Sequence, residues 1–190
     1  MCIGILALQG NFAMHEKILN SIDVRTKLVK YSRDLKKCDG LIIPGGESTT
    51  ISKLIDINNL RSEIVDFSKS KSIFGTCAGM ILLSSQPKSN NLKPLQIMNF
   101  TVLRNAWGKQ IYSFSDKIKI KFLKSKYLAT FIRAPKIDKI SKSINVLSKY
   151  NNEIVLISDG KHLASSFHPE FNDDSRIHKY FIEMIKKNEK

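Results

Sequence analysis

Three short stretches carry residues whose types and spacing could do chemistry. The first is Gly75-Thr76-Cys77-Ala78-Gly79, which follows one apolar run and precedes another. A thiol nucleophile on a sharp strand-to-helix turn needs small neighbours, because strand and helix approach closely there. The helix N-terminus beyond it stabilises a thiolate, and the N–H of Ala78 is placed to donate to an oxyanion. A buried core cysteine beside helix-packing glycines is the other reading of the same pentapeptide.

The second stretch is Phe167-His168-Pro169-Glu170. A thiol needs a base, and the chain has four histidines: His15, His162, His168 and His178. His168 ends an expected strand. In an extended segment residues i and i+2 point the same way, so Glu170 can fix the imidazole as the third group of a triad. His178 is expected on the surface of the last helix, His162 at the start of a strand, and His15 at an interface or in the core. The third stretch is Pro44-Gly45-Gly46-Glu47, where a strand gives way to a helix with Ser48 as expected cap. Two glycines let the backbone approach a ligand and let a peptide flip to aim an N–H. The stretch lacks the Gly-Lys-Ser/Thr ending of a phosphate-binding loop, and it is not a dinucleotide fingerprint.

The elements that must hold these groups follow from the apolar pattern. Strands are expected at 2–8, 24–29, 40–43 and 72–76, with helices over 12–20 and 48–68. Near-continuous apolar strands joined by helices imply an α/β fold, with a mostly parallel central sheet covered by helices on both faces. Short runs at 97–103, 110–114, 118–122 and 129–132 are expected as appended antiparallel strands, and 84–94 as a polar loop. Segments 153–158 and 162–167 are expected as a hairpin closed by a type I′ turn at Asp159-Gly160. A helix closes the chain. It is capped by Asp173, Asp174 or Ser175 and buries Ile177, Phe181, Met184 and Ile185.

A length of 190 residues suits one domain, expected over 1–190. No apolar run approaches the roughly 20 residues of a membrane span. The start, Met1 to Gly10, lacks the pattern of a signal peptide. Three widely spaced cysteines argue against a disulfide framework and a four-ligand zinc site, so a cytoplasmic protein with no metal and no cofactor is expected. The formal charge of +14 is nearly all lysine, with only six arginines. Without an aromatic-and-basic strand pattern this reads as a solvated surface, and nucleic-acid binding is not expected.

Taken together, the stretches resemble the triad, or class I, glutamine amidotransferases, whose fold is flavodoxin-like. Within them they are most similar to the glutaminase subunits of pyridoxal 5′-phosphate synthase. The likeness runs through Leu6 to Gly10, Pro44 to Thr50, Gly75 to Met80, Arg104 to Gln110, Phe131 to Pro135 and Ser166 to Glu170. It implies hydrolysis of L-glutamine to glutamate and ammonia, which passes to a (β/α)8-barrel synthase partner. On that reading Cys77 is the nucleophile, His168 the base and then acid, and Glu170 the orienting carboxylate. Gly45, Gly46 and Glu47 line the glutamine site, with Gly46 and Ala78 as oxyanion donors. Arg104, Ile132 and Arg133 match the remaining substrate positions, and a guanidinium fork suits a zwitterion's carboxylate. Gln9, Gly10 and Lys109 are candidates for partner contact and gating. The family pattern has an arginine where this chain has Lys109, and Ala106 and Trp107 also depart from it. The alternatives are a glutaminase feeding another synthase, such as imidazole glycerol phosphate synthase, and a non-catalytic regulatory or polyanion-binding module on the same fold.

Overall fold

Strands alternate with helices from the first residues of the computed structural model, which describes residues 1–87, 92–103 and 113–188. The order is β1 (Cys2–Leu6), α1 (Phe12–Asn20), β2 (Arg25–Val29), α2 (Ser32–Leu35), β3 (Gly40–Ile43), α3 (Ser48–Ile57), α4 (Arg61–Ser70), β4 (Ser72–Thr76) and α5 (Ala78–Leu83). Then come β5 (Ser84–Pro87), β6 (Met98–Leu103), β7 (Ser113–Ile118), β8 (Tyr127–Ile132), β9 (Lys136–Ile140), β10 (Asn145–Tyr150), β11 (Glu153–Ser158), β12 (Leu163–Ser165), a 3-10 turn (Pro169–Phe171) and α6 (Arg176–Asn188). The main sheet has seven strands in the order β10-β11-β12-β4-β3-β1-β2. β2, β1, β3, β4 and β12 run parallel, while β11 is antiparallel to both its neighbours. A three-stranded sheet, β5-β6-β9, and the β7–β8 pair are appended.

The parallel strands are apolar on both faces because both are covered. Leu41, Ile43 and Ile73 join one core with Ile51, Ile55, Ile64, Met80 and Leu82 of α3, α4 and α5. Ile42 and Phe74 turn the other way, toward Leu19 of α1, Phe181 and Ile185 of α6, and Tyr127 and Phe131 of β8. Burying such a side chain stabilises the fold by about 1.5–3 kcal/mol, so alternate residues of β3 and β4 fasten different layers. No helix among the described residues is long and apolar enough to cross a membrane.

Several local expectations change. The helix expected over 48–68 is two helices, because Asn58 ends α3 and Asn59 takes a left-handed φ of 53°. Glu47, not Ser48, caps α3: its carboxylate accepts from the N–H groups of Thr49 and Thr50. The start of the expected 84–94 loop is β5, since it pairs with β6. The segment expected at 118–122 ends its strand at Ile118, with one further bridge between Ile120 and Ser148. β9 and β10 were not expected. The β11–β12 hairpin is present, but Asp159 is not at positive φ, so the turn is not type I′. Instead the Asp159 side chain accepts from the N–H groups of Lys161 and His162. Asp174 caps α6 by accepting from Arg176 N–H.

β1, β3, β4 and β12 run parallel, so their C-terminal ends share one edge of the sheet. That edge presents Gln9-Gly10, Gly45-Gly46, Cys77 and His168 together, at the place where open parallel sheets bind ligands. The β4-to-α5 turn fits only because α5 touches β3 backbone: a Cβ on Gly79 would fall 2.0 Å from the Ile43 carbonyl oxygen. Gly79→Ala should therefore cost about 1–3 kcal/mol, as overpacking does, and lower Tm by roughly 2–4 °C per kcal/mol. Thermal denaturation checks this, and an unchanged Tm would contradict the packing described.

Candidate active site

Cys77 sits between β4 and α5 with φ 49° and ψ −101°. A non-glycine residue at positive φ is strained, and the turn holds the thiol at the sheet edge instead of letting it relax into the core. Its N–H donates to the Ser165 carbonyl at 2.8 Å, which ties the turn to the end of β12. Three residues on, His168 is fixed by its own N–H donating to Thr130 at 2.8 Å. Two backbone hydrogen bonds thus set nucleophile and imidazole relative to the sheet.

Cys77 and the His168 imidazole line one cleft, and a Cβ on Gly45 would touch both side chains. The ring nitrogen Nδ1 of His168 lies 2.7 Å from Glu170 Oε1. All three side chains are nearly dry: Cys77 is 6% exposed, His168 3% and Glu170 1%. The expected Cys77, His168 and Glu170 therefore meet, but not for the expected reason. Pro169 to Phe171 form a 3-10 turn, not an extended segment, and this turn carries Glu170 back under the ring.

Burial disfavours the charged imidazole, yet the Cys77 thiol and the Glu170 carboxylate outweigh it and push His168 up to about 10. Burial likewise opposes charge on Glu170, and the facing His15 and His168 hold it below the usual carboxylate range. The arrangement favours a cationic imidazole held between the Cys77 side chain and the Glu170 carboxylate, and a cationic neighbour of that kind activates a thiol nucleophile. Cys38 contrasts with this. Burial and the neighbouring Cys2 and Asp39 push it up to about 12, so it stays a thiol.

A cleft of about 460 Å³ opens beside Cys77. Gly46, Glu47, Ala78, Ile132, Arg133 and His168 line it, and the Cys77 Sγ lies 3.7 Å from the Ile132 carbonyl oxygen. Arg133 is at φ 45°, a strained conformation that turns it along the cleft wall. Asn11, Ser48, Ile81, Pro135 and Phe171 also line the cleft and were not anticipated. Phe171 was the most legible of these, being next to Glu170 and 40% exposed despite its apolar ring. Arg104 and Lys109 lie outside the described residues. A larger cleft, about 840 Å³, is lined by Lys119, Lys121, Lys124, Lys126 and Lys149 with no cysteine or histidine among its described lining residues, so thiol–imidazole chemistry belongs to the smaller one.

Gly45 stands behind the cleft, its Cα packed on the imidazole so closely that a Cβ would fall 2.3 Å from His168 Cε1. Its carbonyl accepts from Asn11 N–H at 2.9 Å, and Gln9 Oε1 accepts from Glu47 N–H at 2.9 Å. The loop after β1 thus holds the Gly45–Gly46 peptide by its carbonyl and the next peptide by its N–H. Glu47 fronts the cleft, but its carboxylate is committed to capping α3. The cost of burial is outweighed by the Thr49 and Thr50 donors, which draw it down to about 2.

The other histidines are core residues. His162 accepts from Ile73 N–H at 3.1 Å, and burial draws it down to about 4. His178, expected on the surface, is fully buried, as is His15. Among the described residues no group of three or more His, Cys, Asp or Glu side chains is placed to hold a metal ion. The charge bracket makes a direct prediction. By NMR titration the His168 imidazole should hold its proton well above pH 7, and in Cys77→Ala its midpoint should fall. An unchanged midpoint would show that the thiol is not its partner.

Known proteins share the sequence and fold of this chain. The SNO glutamine amidotransferase family matches residues 5–187. The pyridoxal 5′-phosphate synthase subunit PdxT of Niallia circulans is 44% identical over 187 residues, covering 98% of both chains. The subunit of that name from Thermotoga neapolitana is 40% identical over 98% of this chain and all of its own. A solved structure described as a glutamine amidotransferase superposes with TM-score 0.93 at 37% identity, covering 97% of this chain and 98% of that one. The chain belongs to the SNO glutamine amidotransferase family.

Proposed function

We propose that this chain is the glutaminase subunit of a pyridoxal 5′-phosphate synthase, acting in the cytoplasm as one glutamine amidotransferase domain over residues 1–190. The observation that carries the reading is the Cys77–His168–Glu170 line at the floor of the cleft. The relatives named PdxT supply the pathway.

The Cys77 thiolate attacks the side-chain amide carbon of L-glutamine, and the carbonyl electrons move onto oxygen. The N–H groups of Gly46 and Ala78 receive that oxyanion. His168 passes its proton to the amide nitrogen, the C–N bond breaks, and ammonia leaves a thioester on Cys77. His168 then takes a proton from water as the water attacks the thioester, and the adduct collapses to release glutamate and restore the Cys77 thiolate beside the protonated His168. Glu170 keeps the imidazole oriented and its cationic form stabilised throughout. Arg133 and Arg104 take the substrate's α-carboxylate, and Ile132 and Glu47 border the zwitterion.

Ammonia is mostly ammonium at neutral pH and diffuses freely, so hydrolysis without an acceptor is wasteful. The partner is a (β/α)8-barrel synthase subunit that receives the ammonia directly. Turning the Gly45–Gly46 peptide would break the Asn11 N–H bond to Gly45, and Gln9 and Gly10 hold the same loop. Partner contact at Gln9, Gly10 and Lys109 thereby controls whether the Gly46 N–H faces the oxyanion. One such donor is worth about 10²–10³ in rate.

The test compares glutamine hydrolysis by the purified chain with and without its cognate synthase. The complex should be at least about 10²-fold faster, and Cys77→Ala should abolish turnover in both while folding normally. Equal rates with and without the synthase would refute the gated partnership, and turnover by folded Cys77→Ala would refute the nucleophile.

A further inference from the structure

A second buried polar group stands behind the triad. Glu170 uses Oε1 for His168, but its Oε2 is fully buried and makes no hydrogen bond among the described residues. The group facing Oε2 is His15 Nε2, on α1, 3.4 Å away. Nε2 also lies 3.3 Å from Thr76 Oγ1, in the residue before Cys77. On the other side of the ring, His15 Nδ1 is 2.9 Å from His178 Nε2, on α6. His178 Nδ1 is buried without a hydrogen-bond partner among the described residues. His15 and His178 are both wholly inaccessible. The line Cys77–His168–Glu170–His15–His178 therefore runs from the cleft to the helices covering the far face of the sheet.

The proton positions follow from hydrogen-bond accounting. Burial lowers His15 against the pull of Glu170, and it draws His178 down to about 3, so each ring is neutral with one N–H. If His15 carried its proton on Nδ1, that N–H would donate to His178 Nε2. His178 would then hold an N–H on Nδ1 with no acceptor, and the bare His15 Nε2 would face the Glu170 carboxylate. Both are costly in a dry interior. With the proton on His15 Nε2, that N–H reaches Thr76 Oγ1 and lies beside Glu170 Oε2, and His15 Nδ1 accepts from His178 Nε2–H. Only the weaker, unpaired acceptor His178 Nδ1 is then left over. This pattern turns a histidine N–H, not a lone pair, to the side of each Glu170 oxygen without burying a second positive charge. The 3.4 Å separation suits a contact that shortens when substrate is bound, as resting-state catalytic hydrogen bonds often do.

We propose that His15 is a positioning residue for the glutaminase reaction: its Nε2–H, aimed by the His178 Nε2–H, holds Glu170 in register beneath His168. The inference rests on the glutaminase reading, and its test separates the two. In the synthase complex, His15→Asn keeps an acceptor near the Nδ1 position but withdraws the donor facing Oε2, whereas His15→Gln returns an amide N–H there. His15→Asn should lower kcat about 10–100-fold, the scale of losing a residue that orients a reacting group's partner. KM for glutamine should change little. The alkaline limb of the pH profile should move to lower pH, because a less firmly held Glu170 supports the imidazolium less well. His15→Gln should recover most of the rate. Independently of activity, imidazole ¹⁵N NMR of the wild-type chain should find both His15 and His178 protonated on Nε2. A proton on His15 Nδ1 would overturn the proposal, even if the variants fail to fold. Equal losses in both variants, or full activity in His15→Asn, would overturn it too. A wild-type complex that does not hydrolyse glutamine would instead sink the glutaminase reading, with the tautomers still deciding the His15 contact.

Discussion

Cys77 holds a backbone conformation that a non-glycine residue avoids, at a cost of about 1–3 kcal/mol. The rest of the site depends on the packing that enforces it. β4 delivers the residue, α5 begins at the next one, and Gly79 lets α5 lie directly on the β3 backbone. The Cys77 N–H bonded to Ser165 couples the strained turn to β12, whose continuation carries His168. A relaxed turn would lose the thiol's exposure at the sheet edge and the imidazole's alignment together. A parallel sheet suits this constraint because its strand ends converge without any loop having to reach far.

The electrostatics follow the same economy of position. A carboxylate as dry as Glu170 would normally be neutralised or driven to the surface, since a buried unpaired charge costs several kcal/mol. Here it is retained with an imidazole at one oxygen and a second histidine facing the other. The two rings differ because the Cys77 side chain and the Glu170 carboxylate together raise His168, whereas burial lowers His15. Residues of identical type thus do different work according to what stands behind them.

Much of the site was legible because its chemistry is concentrated in short contiguous stretches. Gly75 to Gly79 encoded the turn, and His168 and Glu170 lay close enough in sequence to meet by local geometry alone. The geometry itself was not legible: the 3-10 turn at Pro169 depends on packing beneath β8 and α1. His178 was misplaced on the surface although Phe181 and Ile182, three and four residues on, mark its face of α6 as apolar. What it pairs with, His15, is 163 residues away in sequence, and no local pattern reports that. The sheet order was readable in outline because covered strands are apolar throughout. β9 and β10 were not, since Lys136, Asp138 and Lys139 in one and Ser148 and Lys149 in the other broke the apolar runs. Asn58-Asn59 ended a helix that periodicity alone would have continued.

The central claim is that Cys77, and no other thiol, forms the covalent intermediate with glutamine. The most direct measurement incubates the chain, in complex with its synthase, with a glutamine analogue bearing an electrophilic side-chain carbonyl, and then maps the adduct by peptide mass spectrometry. The account predicts one adduct, on the peptide containing Cys77, suppressed by excess L-glutamine. An unmodified Cys77, or an adduct on Cys2 or Cys38 that glutamine does not suppress, would contradict it.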